Sequence, residues 1–223
     1  MNKKNIRILL INPNTTSSMT YKIGEAARQV AAPDVDIVAR NPKTGPASIQ
    51  GPEDGLAALP GMLEEVVKGR DDGFDAIILA CFDDTGLAAA RKLSGVPTIG
   101  IGEAAFHVAM LLGAKFSVVT TLAISVPVIE ENLRNYGLES ACLKVRASEV
   151  EVLDLEIDGS SARDKISNEM ACSLSEEQPG ALVLGCAGMA DLASQLSLTH
   201  NVPVIDGVAS AVGLASGLVR LRR

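Results

Sequence analysis

A chain of 223 residues with 47% hydrophobic and 21% charged side chains has a globular balance and can build one large or two small cores. A formal charge of -7 argues against nucleic acid and anionic membranes as partners, and a chain with no Trp, two Tyr and four Phe has little with which to stack bases. It shows neither a long apolar run nor a cationic-then-apolar leader, so we expect no membrane span, a cytoplasmic location and reduced cysteines.

In chain order, Ile8 to Ile11 reads as a strand that ends in Asn12-Pro13-Asn14-Thr15-Thr16-Ser17-Ser18. That cluster has two readings of comparable weight: a turn and cap for a helix over 19–30, or side chains and free N–H groups facing a ligand at the strand end. A strand over 34–39 is followed by a Gly/Pro-bearing loop over 40–55, of the length that often serves as a lid. A helix over 56–68 leads to the strand Ile77-Ile78-Leu79, which stops at Ala80-Cys81-Phe82-Asp83-Asp84. A short helix over 88–93 and a strand over 96–101 complete the first half, and an apolar helix over 104–112 follows. Gly100-Ile101-Gly102 lacks the third glycine and the distal acid of a dinucleotide fingerprint, so no nucleotide site is expected.

The second half reads as a strand over 116–119 ending in Thr120-Thr121, a helix over 127–136, a strand over 142–146 and an acidic irregular stretch over 148–158. A helix over 162–173 then leads to Leu182-Val183-Leu184, which stops at Gly185-Cys186-Ala187-Gly188. A helix over 189–197, a strand over 202–205 and a final helix over 208–221 follow.

These landmarks repeat. Cys81 and Cys186 are 105 positions apart, Val96-Pro97 and Val202-Pro203 are 106 apart, and each is preceded by a strand with a polar end. We therefore expect two similar parallel-sheet α/β lobes related by a pseudo-twofold axis, residues 1–101 and 102–206, with the helix of 207–223 packing back on the first lobe. Loops at the carboxyl ends of parallel strands converge on one edge, so the two thiols would approach a shared crevice from opposite sides. One thiolate can remove an acidic C–H beside a carbonyl while the opposite thiol returns a proton to the other face, which inverts a stereocentre without metal or cofactor. A helix N-terminus would lower the thiol pKa, and backbone N–H groups after each cysteine would stabilise the enolate. The cysteines have no C-x-x-C spacing and no histidine neighbour, so a zinc site is not expected, and Cys142 and Cys172 read as inert small hydrophobes. His107 reads as a packing residue; neither it nor His200 is placed to activate a thiol for hydrolysis.

The segments LLINPNTTSSMT, GPASIQGPEDGLAALPGMLEE, ACFDDTGL, IGIGEAAFHVAMLLGAKFSVVTT, SVPVIEENLRNYGL, LGCAGMADL and VPVIDGVASAV occur in order along the whole chain. Together they resemble the hydantoin racemase branch of the aspartate/glutamate racemase superfamily. The resemblance implies a cofactor-independent site between two lobes, a small-molecule 5-monosubstituted hydantoin as substrate, and a homo-oligomer. It implies that Cys81 and Cys186 are catalytic. It further implies that Asn14, Thr15, Thr120 and Thr121 contact the substrate from the strand ends, and that Phe82-Asp83 and Ala187-Gly188 contribute backbone N–H groups. Amino-acid racemases of the superfamily typically follow their cysteines with Asn-Thr and His-Thr or a similar polar pair. The departure at both positions here, and the absence of Arg or Lys near either cysteine in sequence, argue against a free amino acid. Allantoin, itself a hydantoin with a ureido group at C5, is the close alternative substrate. Arylmalonate decarboxylase, maleate isomerase and a non-catalytic two-lobed binding protein are the more distant ones.

Overall fold

The computed structural model describes residues 5–112, 115–157 and 159–222; Asp158, at the end of the acidic stretch, and Arg223 lie outside them. The first four strands are β1 (Ile6–Ile11), β2 (Val35–Arg40), β3 (Ala76–Leu79) and β4 (Thr98–Gly100), paired in the order β2-β1-β3-β4. The second four are β5 (Phe116–Thr120), β6 (Cys142–Ala147), β7 (Ala181–Gly185) and β8 (Val204–Ile205), in the matching order β6-β5-β7-β8. Every pairing is parallel. The two-lobed α/β expectation is met. The uninterrupted apolar runs announced it, because central parallel strands are covered on both faces: every residue of β3, β5 and β7 is buried.

Helices α1 (Ser17–Val30), α2 (Pro52–Asp71) and α3 (Leu87–Ser94) belong to the first half, and α5 (Val126–Asn135), α6 (Ala162–Glu176) and α7 (Ala193–His200) to the second. Helix α2 begins earlier than its apolar spacing suggests. Pro52 at its first turn and the acids Glu53 and Asp54 suit the positive helix start, so the helix consumes the end of the expected loop. Residues 187–192 form a 3-10 turn before α7, where the sequence suggested α-helix from Met189.

Helices α4 (Ile101–Leu111) and α8 (Gly207–Arg222) are exchanged between the lobes. Helix α4 follows β4 yet packs on β7, while α8 follows β8 and packs on α1, β1 and β3; the two helices lie against each other. One continuous core results, in which Val208, Ala211 and Ala215 of α8 join Ile8 and Ile78 of the first sheet and Phe116 and Val183 of the second. Three of the four phenylalanines meet there: Phe82 lies edge-on to Phe106 at 5.4 Å, and Phe106 stacks on Phe116 at 5.9 Å. The start of each exchanged helix is held by a carboxylate. In α8 it is local, Asp206 accepting from the N–H groups of Val208 (3.1 Å) and Ala209 (2.7 Å). In α4 it comes from the Cys81 turn, Asp84 accepting from Gly102 (3.1 Å) and Glu103 (2.7 Å). Position 100 must be glycine, because a Cβ there would stand 2.0 Å from Asp84 Oδ1.

Candidate active site

Cys81 lies two residues beyond β3, and Cys186 directly follows β7. The adjacent strands β1 and β5 end in Asn12 to Asn14 and in Thr120-Thr121. All four strand ends open on one cavity with about 410 Å³ of free space including its mouth, and both thiols line it. The close fit of β7 on β5 depends on Gly185: a Cβ there would stand 2.7 Å from Thr120 Cα, and Thr120 Oγ1 donates to Gly185 O at 2.9 Å.

The strand-end cluster after β1 builds the turn into α1 and also borders the cavity. Asn14 Oδ1 accepts from Thr16 N (2.9 Å) and Asn12 Nδ2 (2.8 Å), which builds the turn into α1. Its Nδ2 has the Met19 thioether at 3.2 Å, and both residues line the cavity. Phe82, Asp83, Thr120, Thr121 and Ala187 also line it. Thr15 does not: its N–H and hydroxyl both donate to Pro46 O, at 2.9 and 3.2 Å, and so hold the loop over 41–51. Gly188 lies behind Cys186, its N–H facing the sulfur.

Sequence reasoning missed Ile49, Ser125 and Val152 among the lining residues. Ile49 comes from the loop before α2 and Val152 from the start of a 3-10 turn over 152–156 in the other lobe, and Gln50 Oε1 accepts from Val152 N at 2.9 Å, joining the two segments at the cavity. The length of the 40–55 loop was the one available signal, since no periodicity marks the inner side of a loop. The two histidines are engaged elsewhere, His107 Nδ1 with Glu103 O (2.8 Å) and His200 Nε2 with Ser167 Oγ (2.9 Å). Cys142 sits on β6, where burial pushes its thiol up to about 12, while Cys172 on α6 is exposed rather than packed. Among the described residues no group of three His, Cys, Asp or Glu side chains is gathered as a metal would require.

The electrostatics differ from the expectation of thiols acidified by helix starts. Burial pushes Cys186 up to about 11 and Cys81 well above its ordinary value, and the Asp83 carboxylate adds to both shifts. Helix α3 starts only at Leu87, and Cys186 precedes a 3-10 turn, so neither sulfur sits at an α-helix N-terminus. The backbone N–H groups of Asp83 and Gly188 face the respective sulfurs and oppose the rise. A buried thiolate of this kind is scarce but strongly basic, which suits a weakly acidic C–H. Burial also raises Asp83 to about 6, with Ser125 Oγ donating to its carboxylate at 3.4 Å. Above that pH its charge opposes thiolate formation. Asp83→Asn is therefore expected to shift the acidic limb of activity to lower pH by about one unit, read from a pH–rate profile.

Residues 8–215 match the model of the Asp/Glu/Hydantoin racemase family, and the chain belongs to it, an isomerase of the racemase class. A hydantoin racemase of Rhizobium meliloti is 46% identical over 214 residues, which cover 96% of this chain and 89% of the relative. Among solved structures, an allantoin racemase from Klebsiella pneumoniae superposes with a TM-score of 0.94 at 45% identity, covering 98% of this chain and 89% of that one. An allantoin racemase from Pseudomonas fluorescens gives a TM-score of 0.93 at 41% identity, covering 97% of this chain and 92% of that one.

Proposed function

We propose that this protein racemises 5-monosubstituted hydantoins, with Cys81 and Cys186 as the two proton-transfer groups. The carrying observation is that matching strands of the two lobes each deliver a thiol to the same cavity. In the reaction one thiolate takes the C5 proton; the C–H electron pair moves onto the adjacent carbonyl as an enolate, and the opposite thiol donates its proton to the other face of C5. The products are the opposite enantiomer and the enzyme with its two sulfur protonation states interchanged; proton exchange with solvent resets it. Polar donors at the cavity, among them Asn14 Nδ2 and the Thr121 hydroxyl, suit the carbonyls of a near-neutral ring. Among the described residues no Arg or Lys lines the cavity to hold a free α-carboxylate, which supports a hydantoin over an amino acid.

Two C5 substituents remain in view. Ile49 and Val152 offer apolar surface to a benzyl or alkyl group, as an amino-acid hydantoin carries. The superposed allantoin racemases favour a ureido group instead. Incubating L-5-benzylhydantoin and (S)-allantoin separately in D2O decides the matter. Deuterium entering C5 as optical rotation is lost is the expected result, and the faster substrate identifies the substituent. If neither substrate exchanges its C5 proton, the proposal fails.

A further inference from the structure

The two thiols occupy equivalent positions, yet the supports behind them are not equivalent. In each lobe the carbonyl of the second residue after the cysteine accepts a hydrogen bond from the helix that follows the first strand of the opposite lobe. Behind Cys81, Asp83 O accepts from Asn132 Nδ2 on α5 at 2.8 Å. Behind Cys186, Gly188 O accepts from Lys22 Nζ on α1 at 3.1 Å. The same ammonium donates to Leu155 O at 3.1 Å, which ties α1 to both segments that flank Cys186. One thiol is thus backed by a neutral amide and the other by a cation.

The remaining charges accentuate this difference. Cys81 is followed by two buried carboxyl groups, Asp83 and Asp84, and faces Cys186. Cys186 is faced by Asp83 and Glu156 as opposing charges and by Lys22 as the favourable one. The ammonium is shared with Asp191 at 3.4 Å and Glu156 at 4.0 Å, and Asp191 is itself paired with Arg163 at 2.8 Å. The groups that act most on Cys186 thus include a cation, Lys22, whereas those that act most on Cys81 are carboxylates and the opposing thiol.

Building on the two-thiol reading, we infer that Lys22 is a positioning residue that places the resting thiolate on Cys186 and leaves the proton on Cys81 before substrate binds. The free protein is then poised to accept the enantiomer whose C5–H faces Cys186. Processing the other enantiomer first requires the proton to change sulfurs. A ratio of kcat/KM values cannot reveal this, because the two enantiomers are equal in free energy and their kcat/KM values must be equal. The thiols have to be titrated individually.

The experiment is brief alkylation by iodoacetamide across a pH series, with peptide mass spectrometry reporting Cys81 and Cys186 separately. In the unaltered protein Cys186 is expected to reach half-maximal modification at lower pH than Cys81. Lys22→Met moves the Cys186 midpoint up by about one pH unit and the Cys81 midpoint by less, while Lys22→Arg restores the Cys186 midpoint. Lys22→Asn, which reproduces the neutral donor of Asn132, serves as a second variant and should resemble Lys22→Met. A lower midpoint for Cys81 in the unaltered protein, or a Cys186 midpoint unmoved in both neutral variants, overturns the inference. Because alkylation needs no turnover, this result stands apart from the D2O test of racemisation: either can fail without the other.

Discussion

Serine in place of Cys81 is expected to abolish racemisation while leaving proton exchange at C5 for one enantiomer only. A hydroxyl cannot ionise usefully at this site, and losing one proton-transfer group lowers turnover by about 10²- to 10⁴-fold. The surviving Cys186 still removes the proton that faces it, exchanges with solvent and returns deuterium to the same face. Cys186→Ser should give the mirror result. NMR of the C5 position in D2O, run on each pure enantiomer with optical rotation followed alongside, distinguishes exchange with retention from inversion. A single variant that racemised at the unaltered rate would remove the two-base mechanism.

Asp84→Ala should be the most destabilising single change near the site. Asp84 is buried in a left-handed conformation (φ 49°) and accepts from Gly102 N, Glu103 N and Tyr136 Oη, the last at 2.9 Å. Its removal leaves three donors without a partner, at about 1–3 kcal/mol each before water enters, so a loss of about 3–5 kcal/mol is expected. At about 2–4 °C per kcal/mol for a chain of this size, Tm falls by about 6–20 °C in calorimetry. Burial holds the Asp84 carboxyl up at about 7. The native state therefore binds this proton at a pH where the unfolded chain, near 3.9, has released it. Its contribution to stability is complete below about pH 4 and declines as pH rises through 7, and the alanine variant should lose that slope. An unchanged Tm would show that the α4 start and the Cys81 turn are held by other means.

Much of this arrangement is legible in the amino-acid sequence. Buried parallel strands write themselves as short apolar runs, and the runs before Cys81 and Cys186 fell in register with their Val-Pro partners, which disclosed the repeat and the opposed thiols. What escaped notice was set by distance along the chain. Lys22 meets Leu155 and Gly188 across more than half of the sequence, and Ile49 and Val152 line one cavity from segments about a hundred residues apart, where Val152 N donates to Gln50 Oε1. Thr15 looked like its neighbour Asn14, but one position along a turn directs it to Pro46 instead of the cavity. The thiol environment departs from expectation for a local reason: a cysteine just after a strand suggests a helix start, whereas Cys81 is followed by a hydrogen-bonded turn and Cys186 by a 3-10 turn.

The exchanged helices bear on the order in which a growing chain can fold. The first sheet is complete once β4 has been made, but the face of β1 and β3 that α8 covers stays open until residues 207–222 emerge, the last segment described. Ribosomal synthesis normally lets an N-terminal unit close before its successor appears. Here the first sheet must wait, its Ile8 and Ile78 side chains unsheltered, for a helix encoded more than a hundred residues downstream of β4.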